Sequence, residues 1–498
     1  MKVLYVCSEL FPLLKTGGLA DVSAALPAAL LEAGCDVRFL LPGFPAIVAG
    51  VVSGRGPLAI PLFLPKDFGP ALGEAGGQGG VTVQRCALAV SDVPAYILQA
   101  PGLLDRPGNP YLDAQGKDWP DNALRFALLG WAAACLGGGL DADWQPDIVH
   151  CHDWHTGLAP AYLRCLAPAG APVPASVFTV HNLAYQGLFP RASFGQLGLP
   201  AHLFGIDGVE FYDQVSFMKA GLQFADQITT VSPTYAREIL TPEQGCGLDG
   251  LLRARSDVLS GILNGVDYLV WNPAHDEVLD KPYDWRSLGR KARAKAQLQA
   301  SLGLELQPDA LLFGVVSRLS EQKGLRLVEA VMDALVHKGG QLALLGGGDA
   351  ALEQAFVQAA HRHPGRVAVH LGYNESLGHQ VIAGADVILV PSRYEPCGLT
   401  QLYGMRYGTV PLVHRVGGLA DTVADISAES LAAGSACGIV FDGFSASGLQ
   451  SALDRAFALY AQPEVWKSVQ RNGMQLRFDW QEAAQRYLAL YRRLRPAR

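Results

Sequence analysis

The sequence predicts an α/β fold of two doubly wound domains in tandem, and three observations carry that reading. The chain opens on a strand–loop–helix–strand unit. A second series of the same kind begins near Leu311. Its 498 residues exceed what one hydrophobic core ordinarily organises. In the first series, Val3 to Cys7 is a short β-branched and aromatic run, and Lys15-Thr16-Gly17-Gly18 is the loop after it. Leu19 to Leu31 places apolar residues at helical spacing, Gly34 stops that helix, and Val37 to Leu41 is the next strand. Asp147 to His150, Ser176 to Val180 and Gln227 to Val231 repeat the strand signal. In the second series, Leu312 to Ser317 is a strand and Gly324 to His337 a helix. Leu342 to Leu345, Val367 to His370, Asp386 to Val390 and Val410 to Val413 are further strands, and Gly417-Gly418 opens another helix. A polar, charged stretch from Pro273 to Gln299 reads as the separation between the series. From Asp479-Trp480-Gln481-Glu482 onward, a capping-box-like start leads into an amphipathic body of Ala484, Tyr487, Leu488 and Tyr491. This predicts a last helix that returns to the first domain. Two such domains facing across a cleft would bind a ligand at the carboxyl ends of their strands.

Composition narrows the function classes. The chain is 50% hydrophobic, which excludes wholesale disorder. Its 56 glycines follow no G-X-Y period and so mark turns or close backbone approaches, not a collagen. Within this excess, Gly73 to Gly80 reads as a plain flexible loop tip. The net charge of −7 argues against a nonspecific nucleic-acid or membrane-surface binder. Only 11 of the 39 basic residues are lysine, so each lysine's placement carries information. The first apolar run ends at Glu9, too early for a signal peptide, and no uncharged apolar run reaches membrane-spanning length. Nine cysteines without any C-x-x-C read as reduced thiols of a cytoplasmic protein.

Five segments could carry chemistry. Lys15-Thr16-Gly17-Gly18 combines a point charge with glycines whose N–H groups can reach an anion at a helix start. An ordinary β–α turn would look the same. The segment is neither G-x-G-x-x-G nor a P-loop, which removes the best support for a dehydrogenase or an NTPase. Arg318 and Lys323, in Ser317 to Gly324, put two cations after a strand, which suits a diphosphate without a metal. The plain alternative is a surface ion pair with Glu321. Glu395, in Pro391 to Thr400, sits on a stiff turn between Pro and Gly, as a fixed acceptor for sugar hydroxyls or as a helix-dipole partner. Phe178 to Asn182 puts His181 and an amide at a strand end. The run His150-Cys151-His152-Asp153-Trp154-His155 looks like metal ligands. It has no recognisable zinc spacing, and alternate residues on a strand and its turn need not converge, so no metal is assigned.

Seven motifs in one order now mark a family: KTGGLADV, HDWHTGLAP, FTVHNLAYQG, VSPTYAREI, LNGVD, VSRLSEQKG and PSRYEPCGLTQLYG. Together they resemble the bacterial glycogen synthases, ADP-glucose-dependent enzymes related to plant starch synthases, over nearly the whole chain. The resemblance implies two Rossmann-like domains of the GT-B type. It places an acceptor-side catalytic domain over 1–265, a nucleotide-sugar domain over 266–475 and a returning helix over 476–498. It implies that Lys15 and the amides of Gly17 and Gly18 meet the donor diphosphate and glucose. Arg318 and Lys323 would neutralise the diphosphate. Glu395 and the backbone at Cys397, Gly398 and Leu399 would hold the glucose hydroxyls, and Thr400 would support the diphosphate end. His181 would lie beside the transferring glucose and Tyr373 would stack on the nucleobase. Asp21, Asn182 and Asn264 match the pattern with less defined roles, and Tyr111 resembles an acceptor-side or glucose-contacting residue. Where many retaining relatives carry a second glutamate, this chain has Tyr403, so no second carboxylate is assigned.

The implied reaction moves glucose from ADP-glucose to the non-reducing end of glycogen or another α-1,4-glucan, with retention and without a cofactor. His181 is a poor nucleophile for a covalent glycosyl intermediate, which favours same-face attack with the departing phosphate taking the acceptor proton. Two other readings stay open from residues alone. One is a glucan phosphorylase, which needs pyridoxal phosphate on a lysine. The other is a silent glucan- or nucleotide-sugar-binding protein, against which the intact Lys15, Arg318, Lys323 and Glu395 argue. Physics alone does not separate ADP-glucose from UDP-glucose.

Overall fold

The computed structural model describes residues 1–52, 58–65, 68, 80–166 and 173–495. The glycine-rich segment 73–79 lies outside the described residues. The chain divides into two compact units. The first comprises Met1–Val231, Ala236–Ile262 and the C-terminal segment from Trp480; the second comprises Ser232–Tyr235 and Leu263–Asp479.

Among the described residues, twelve strands belong to the first unit: β1 Lys2–Val6, β2 Asp36–Pro42, β3 Leu58–Pro61, β4 Thr82–Leu88, β5 Ser91–Gln99, β6 Ile148–His152, β7 Ala175–Val180, β8 Leu188–Pro190, β9 Glu210–Phe211, β10 Gln214–Ser216, β11 Gln227–Thr230 and β12 Leu259–Gly261. Nine of them form one sheet in the order β12-β11-β7-β6-β1-β2-β5-β4-β3. Its core is parallel, and β1 and β7 within it are buried on both faces and read as near-continuous apolar runs. β3 and β4 add antiparallel strands at one edge, against β5. The sequence pattern reveals no element there. The chain leaves β1 toward β2 on one side and later returns to β6 on the other, so the strand order reverses between β1 and β6. The helix Gly18–Glu32 packs on the last helix, Trp480–Leu494. That last helix inserts Tyr491, whose hydroxyl meets His150 Nδ1 at 2.7 Å. The apolar run around Ala123 is a helix, Asn122–Gly137, buried along nearly its whole length. Its Arg125 is tied to the carbonyls of Leu103 and Pro110.

The second unit holds β13 Leu312–Val316, β14 Gln341–Gly346, β15 Val367–Leu371, β16 Val387–Val390, β17 Val410–His414 and β18 Ile439–Phe441. They form a fully parallel sheet in the order β15-β14-β13-β16-β17-β18, the 3-2-1-4-5-6 order of a Rossmann-like domain. The reversal lies between β13 and β16.

The polar stretch from Pro273 to Gln299, which lies between the two series of strands, is built into the second unit. Trp271, Leu279, Tyr283 and Leu288 join that unit's core, and the helix Lys291–Ser301 packs on the helix Glu375–Gly384. Two lysines mislead a reading by charge, because both are buried and bonded. Lys291 Nζ donates to the Ala383 carbonyl at 2.5 Å and to Thr409 Oγ1 at 2.6 Å. Lys295 Nζ pairs with Asp386 at 2.7 Å and donates to the carbonyls of Pro308 and Ala310. Such amphipathic side chains carry apolar stems into a core and satisfy the ammonium locally.

Candidate active site

In the first unit, the chemistry-bearing residues follow β1, β6 and β7, at the carboxyl ends of the strands around the reversal. Glu9, in the sequence only the end of an apolar run, organises this region. It is buried. Its Oε1 accepts from Thr16 Oγ1 and from the Tyr111 hydroxyl, each at 2.6 Å, and its Oε2 accepts from the Thr16 N–H at 2.7 Å and weakly from the Gly17 N–H at 3.4 Å. Four donors on one carboxylate fix the shape of the Lys15–Gly18 loop. Tyr111 is thereby a brace: its hydroxyl also lies 3.0 Å from Ser8 Oγ, and its ring stacks on His155. Lys15 pairs with Asp21 at 3.0 Å, which joins two separately expected residues, and its ammonium lies over the Phe11 ring. Gly18 is the first residue of its helix and Gly17 the residue before it. Gly17 has extended backbone, and a Cβ there would enter open space. Neither strain nor crowding demands glycine at that point.

His181 follows β7, with its Nε2 3.0 Å from His152 Nδ1. His150 and His152 share one face of β6, with ring centroids 4.0 Å apart, so these three histidines do converge. They form a neutral stack: burial lowers His150 and His181 to about 3 and takes His152 well below its ordinary value. Among the described residues, no three His, Cys, Asp or Glu side chains are arranged to hold a metal ion. Asp153 sits at φ 61° and caps the turn after β6 by accepting from the Trp154 N–H at 2.8 Å. Burial, with Glu9 nearby, pushes its carboxyl up to about 7. Asn182 accepts from the Ala184 N–H at 3.1 Å and shapes the turn.

In the second unit, Arg318 follows β13 and is exposed. Lys323 ends the short 3-10 turn Glu321–Lys323. Gly324 follows at φ +69°, where a Cβ would lie 2.0 Å from the Pro391 carbonyl oxygen, so only glycine lets this turn press on the strand-end segment after β16. That contact brings together the two loops flanking the reversal. Lys323 Nζ reaches Glu395 Oε2 at 2.6 Å, and the same oxygen accepts from the buried Ser392 Oγ at 2.8 Å. Ser392 is in turn held by His414 on its carbonyl. Both donors fall on Oε2. Glu321, the surface partner considered for the two cations, bonds Arg326. Cys397 is buried, its thiol pushed up to about 12 by burial, with the Asn264 backbone in hydrogen-bond contact. Gly398 lies at φ +73°. Leu399 precedes the helix Thr400–Arg406, and Thr400 Oγ1 is 3.5 Å from the Val316 carbonyl at the end of β13. Tyr373 stands 72% exposed after β15, its hydroxyl bonded to Glu375. Tyr403, at the position where other retaining enzymes carry a carboxylate, stacks on Trp271 at 4.0 Å, and Trp271 stacks on His379. It is half-buried and packs against the core of the second unit.

Two Rossmann-like α/β units of this construction, with cations and a fixed carboxylate at strand ends, define a glycosyltransferase of GT-B architecture. Residues 2–254 match the family model of the starch synthase catalytic domain, and 303–472 match glycosyl transferases group 1. The chain is 60% identical to a glycogen synthase of Albidiferax ferrireducens, over 100% of this chain and 99% of that one. It is 56% identical to a glycogen synthase of Variovorax paradoxus, over 99% and 98%. Among solved structures it is similar to the catalytic domain of starch synthase IV from Arabidopsis thaliana bound to ADP and acarbose. That likeness has a TM-score of 0.86 and 31% identity and covers 99% of this chain and 98% of that one. The chain belongs to the glycogen synthase family of retaining glycosyltransferases. Among the described residues, no helix is long and apolar enough to cross a membrane.

Proposed function

We propose that this protein transfers glucose from ADP-glucose to the non-reducing end of an α-1,4-glucan, with retention, as a cytoplasmic glycogen synthase. The observation that carries the reading is the Lys323–Glu395 contact at the strand-order reversal of the second unit, with Arg318 following β13 at the same reversal. Two cations there meet the negative charge that builds on a leaving diphosphate. Glu395 Oε1, with the backbone at Cys397 to Leu399, takes the glucose hydroxyls, and Thr400 supports the diphosphate. Tyr373, exposed after β15, offers a ring face to the nucleobase. The second unit is thus the nucleotide-sugar unit. The first is the acceptor-side unit: Lys15 and the loop at Gly17 and Gly18 approach the donor, and the open space above Gly17 supports that role. His181 lies beside the glucose. Asp21 holds Lys15, Tyr111 and Glu9 hold the loop, Asn182 shapes the turn, and Asn264 holds Cys397.

Retention without a protein nucleophile follows from the side chains available. His181 is a poor covalent partner for the sugar, and the Tyr403 ring is stacked on Trp271 against the second unit's core. The acceptor hydroxyl attacks on the face the diphosphate leaves, and a phosphate oxygen takes its proton. The relatives' names and the ADP in the solved relative support ADP-glucose as donor. Nine free cysteines support a reducing compartment. The test is incubation of the full chain with glycogen and either ADP-glucose or UDP-glucose, reading nucleotide release and glucose incorporation. Equal ADP release and incorporation, with ADP-glucose strongly preferred, is the expected result. Preference for UDP-glucose, or nucleotide release without incorporation, would overturn it.

A further inference from the structure

His152 has a buried ring nitrogen without a partner among the described residues, and the function described so far does not use it. The ring is fully buried, stacked on Tyr5 at 4.0 Å with His150 at 4.0 Å. Both nitrogens of His150 are engaged, Nδ1 with the Tyr491 hydroxyl at 2.7 Å and Nε2 with Thr179 Oγ1 at 2.6 Å. His152 differs: Nδ1 faces His181 Nε2 at 3.0 Å, and Nε2 meets no donor or acceptor among the described residues. Two neutral tautomers are available. With the proton on Nε2, an N–H is buried with no acceptor. With it on Nδ1, the proton enters the bond to His181 and only a lone pair is left over. Orphaned buried N–H groups are the rarer and costlier defect.

We propose that His152 donates its Nδ1–H to His181 Nε2 and so holds His181 as the neutral Nδ1–H tautomer. His152 is then a positioning residue. The consequence for the reaction rests on the reading of His181 as the residue beside the transferring glucose. The Nε2 lone pair of His181 is already occupied, so His181 neither attacks the anomeric carbon nor accepts the acceptor's proton from that nitrogen. What it offers the sugar is an N–H donor. The two packed rings on His152 set the direction of that donor, as the orienting partner does for any histidine with one committed nitrogen.

The test is a 15N spectrum of the full chain labelled at histidine, with His181→Gln used to assign the ring signals. The expected spectrum has His181 protonated on Nδ1 and unprotonated on Nε2. In His152→Leu the donor is gone, so His181 moves toward the Nε2–H form. Its kcat then falls on the order of 10–100-fold, with the donor KM changed far less. His152→Asn places an amide N–H where Nδ1 stood, and restores both the tautomer and most of kcat. A wild-type His181 protonated on Nε2 overturns the proposal without any variant. So does a His152→Leu protein in which tautomer and kcat are both unchanged. If His181 is the Nδ1–H tautomer but His181→Gln transfers glucose at the wild-type rate, the tautomer assignment stands and the functional reading of His181 fails.

Discussion

Lys323→Ala separates a charge that works on the substrate from one that only holds the fold. The Lys323 ammonium lies 2.6 Å from Glu395, with side-chain exposures of 21% and 7%. Removing one partner of a fully buried pair costs about 3–5 kcal/mol. Here the lysine reaches water, and Ser392 still bonds the carboxylate, so the structural loss is about 1–2 kcal/mol. That lowers Tm by about 2–8 °C and leaves the chain folded at assay temperature. The loss at the diphosphate is larger. A missing donor at a developing anion costs on the order of 10²–10³ in kcat, about 2.7–4 kcal/mol. The assay is initial-rate ADP release from ADP-glucose with glycogen, run beside thermal unfolding. Because the two groups touch, Lys323→Ala/Glu395→Gln loses far less than the product of the single losses. A kcat for Lys323→Ala within about threefold of wild type would refute the diphosphate role, because a cation that stabilises the leaving group cannot be removed at so small a cost.

Three further outcomes follow from the same geometry. Acidification destabilises the first unit. Burial holds His150, His155 and His181 down at about 3, and His152 well below its ordinary 6.5, so the unfolded chain takes up protons that the native state refuses and stability is lost as pH falls below 6.5. Asp153, raised to about 7, opposes this by one proton, since the native state keeps a proton that the unfolded chain releases above its ordinary 3.8. Unfolding near pH 5.5 therefore takes up about two to three protons, about 3–4 kcal/mol per pH unit, read from Tm against pH; Asp153→Asn steepens the slope by about one proton, and a flat Tm would count against the buried neutral stack. Glu9→Gln weakens four bonds that shape the Lys15–Gly18 loop. It lowers stability by about 1.5–3 kcal/mol and slows transfer, measured by thermal unfolding and by ADP release. Gly398→Ala forces φ +73° on a residue with a Cβ, 2.4 Å from Gln401 Oε1, costing about 1–2 kcal/mol and raising the donor KM; an unchanged KM and Tm would show the turn to be unimportant.

The parts of this molecule legible in its sequence are the local ones. A β–α turn carries its own signals within a few residues, so the loops with Lys15, with Arg318 and Lys323, and with Glu395 stand out at once. What pairs with what is not local. Tyr111 reaches Glu9 across 102 positions and Lys323 reaches Glu395 across 72, and no spacing rule connects them. Glu9 reads as the end of an apolar strand because its donors lie on a loop and on a distant tyrosine that only folding brings to it. Lys291 and Lys295 read as solvated charge because their carbonyl and carboxylate partners lie far along the chain. The edge strands β3 and β4 lack the strand–helix alternation that reveals the parallel strands. The histidines after Asp147 look like ligands in sequence; folding turns them into a buried stack whose partners are Tyr491, Thr179 and one another.

Same-face transfer without a covalent intermediate is tested most directly by reading the product's linkage together with a search for glucosylated protein, because a double displacement would also leave an α linkage. Full-length protein is given ADP-glucose labelled at C1 and a short maltooligosaccharide, and the labelled anomeric signal of the extended glucan is read by NMR beside ADP release. The expected result is an α-1,4 linkage, one ADP for each glucose added, and no covalently labelled protein when acceptor is withheld. A β-linked product, or a glucosylated protein trapped without acceptor, would contradict that mechanism.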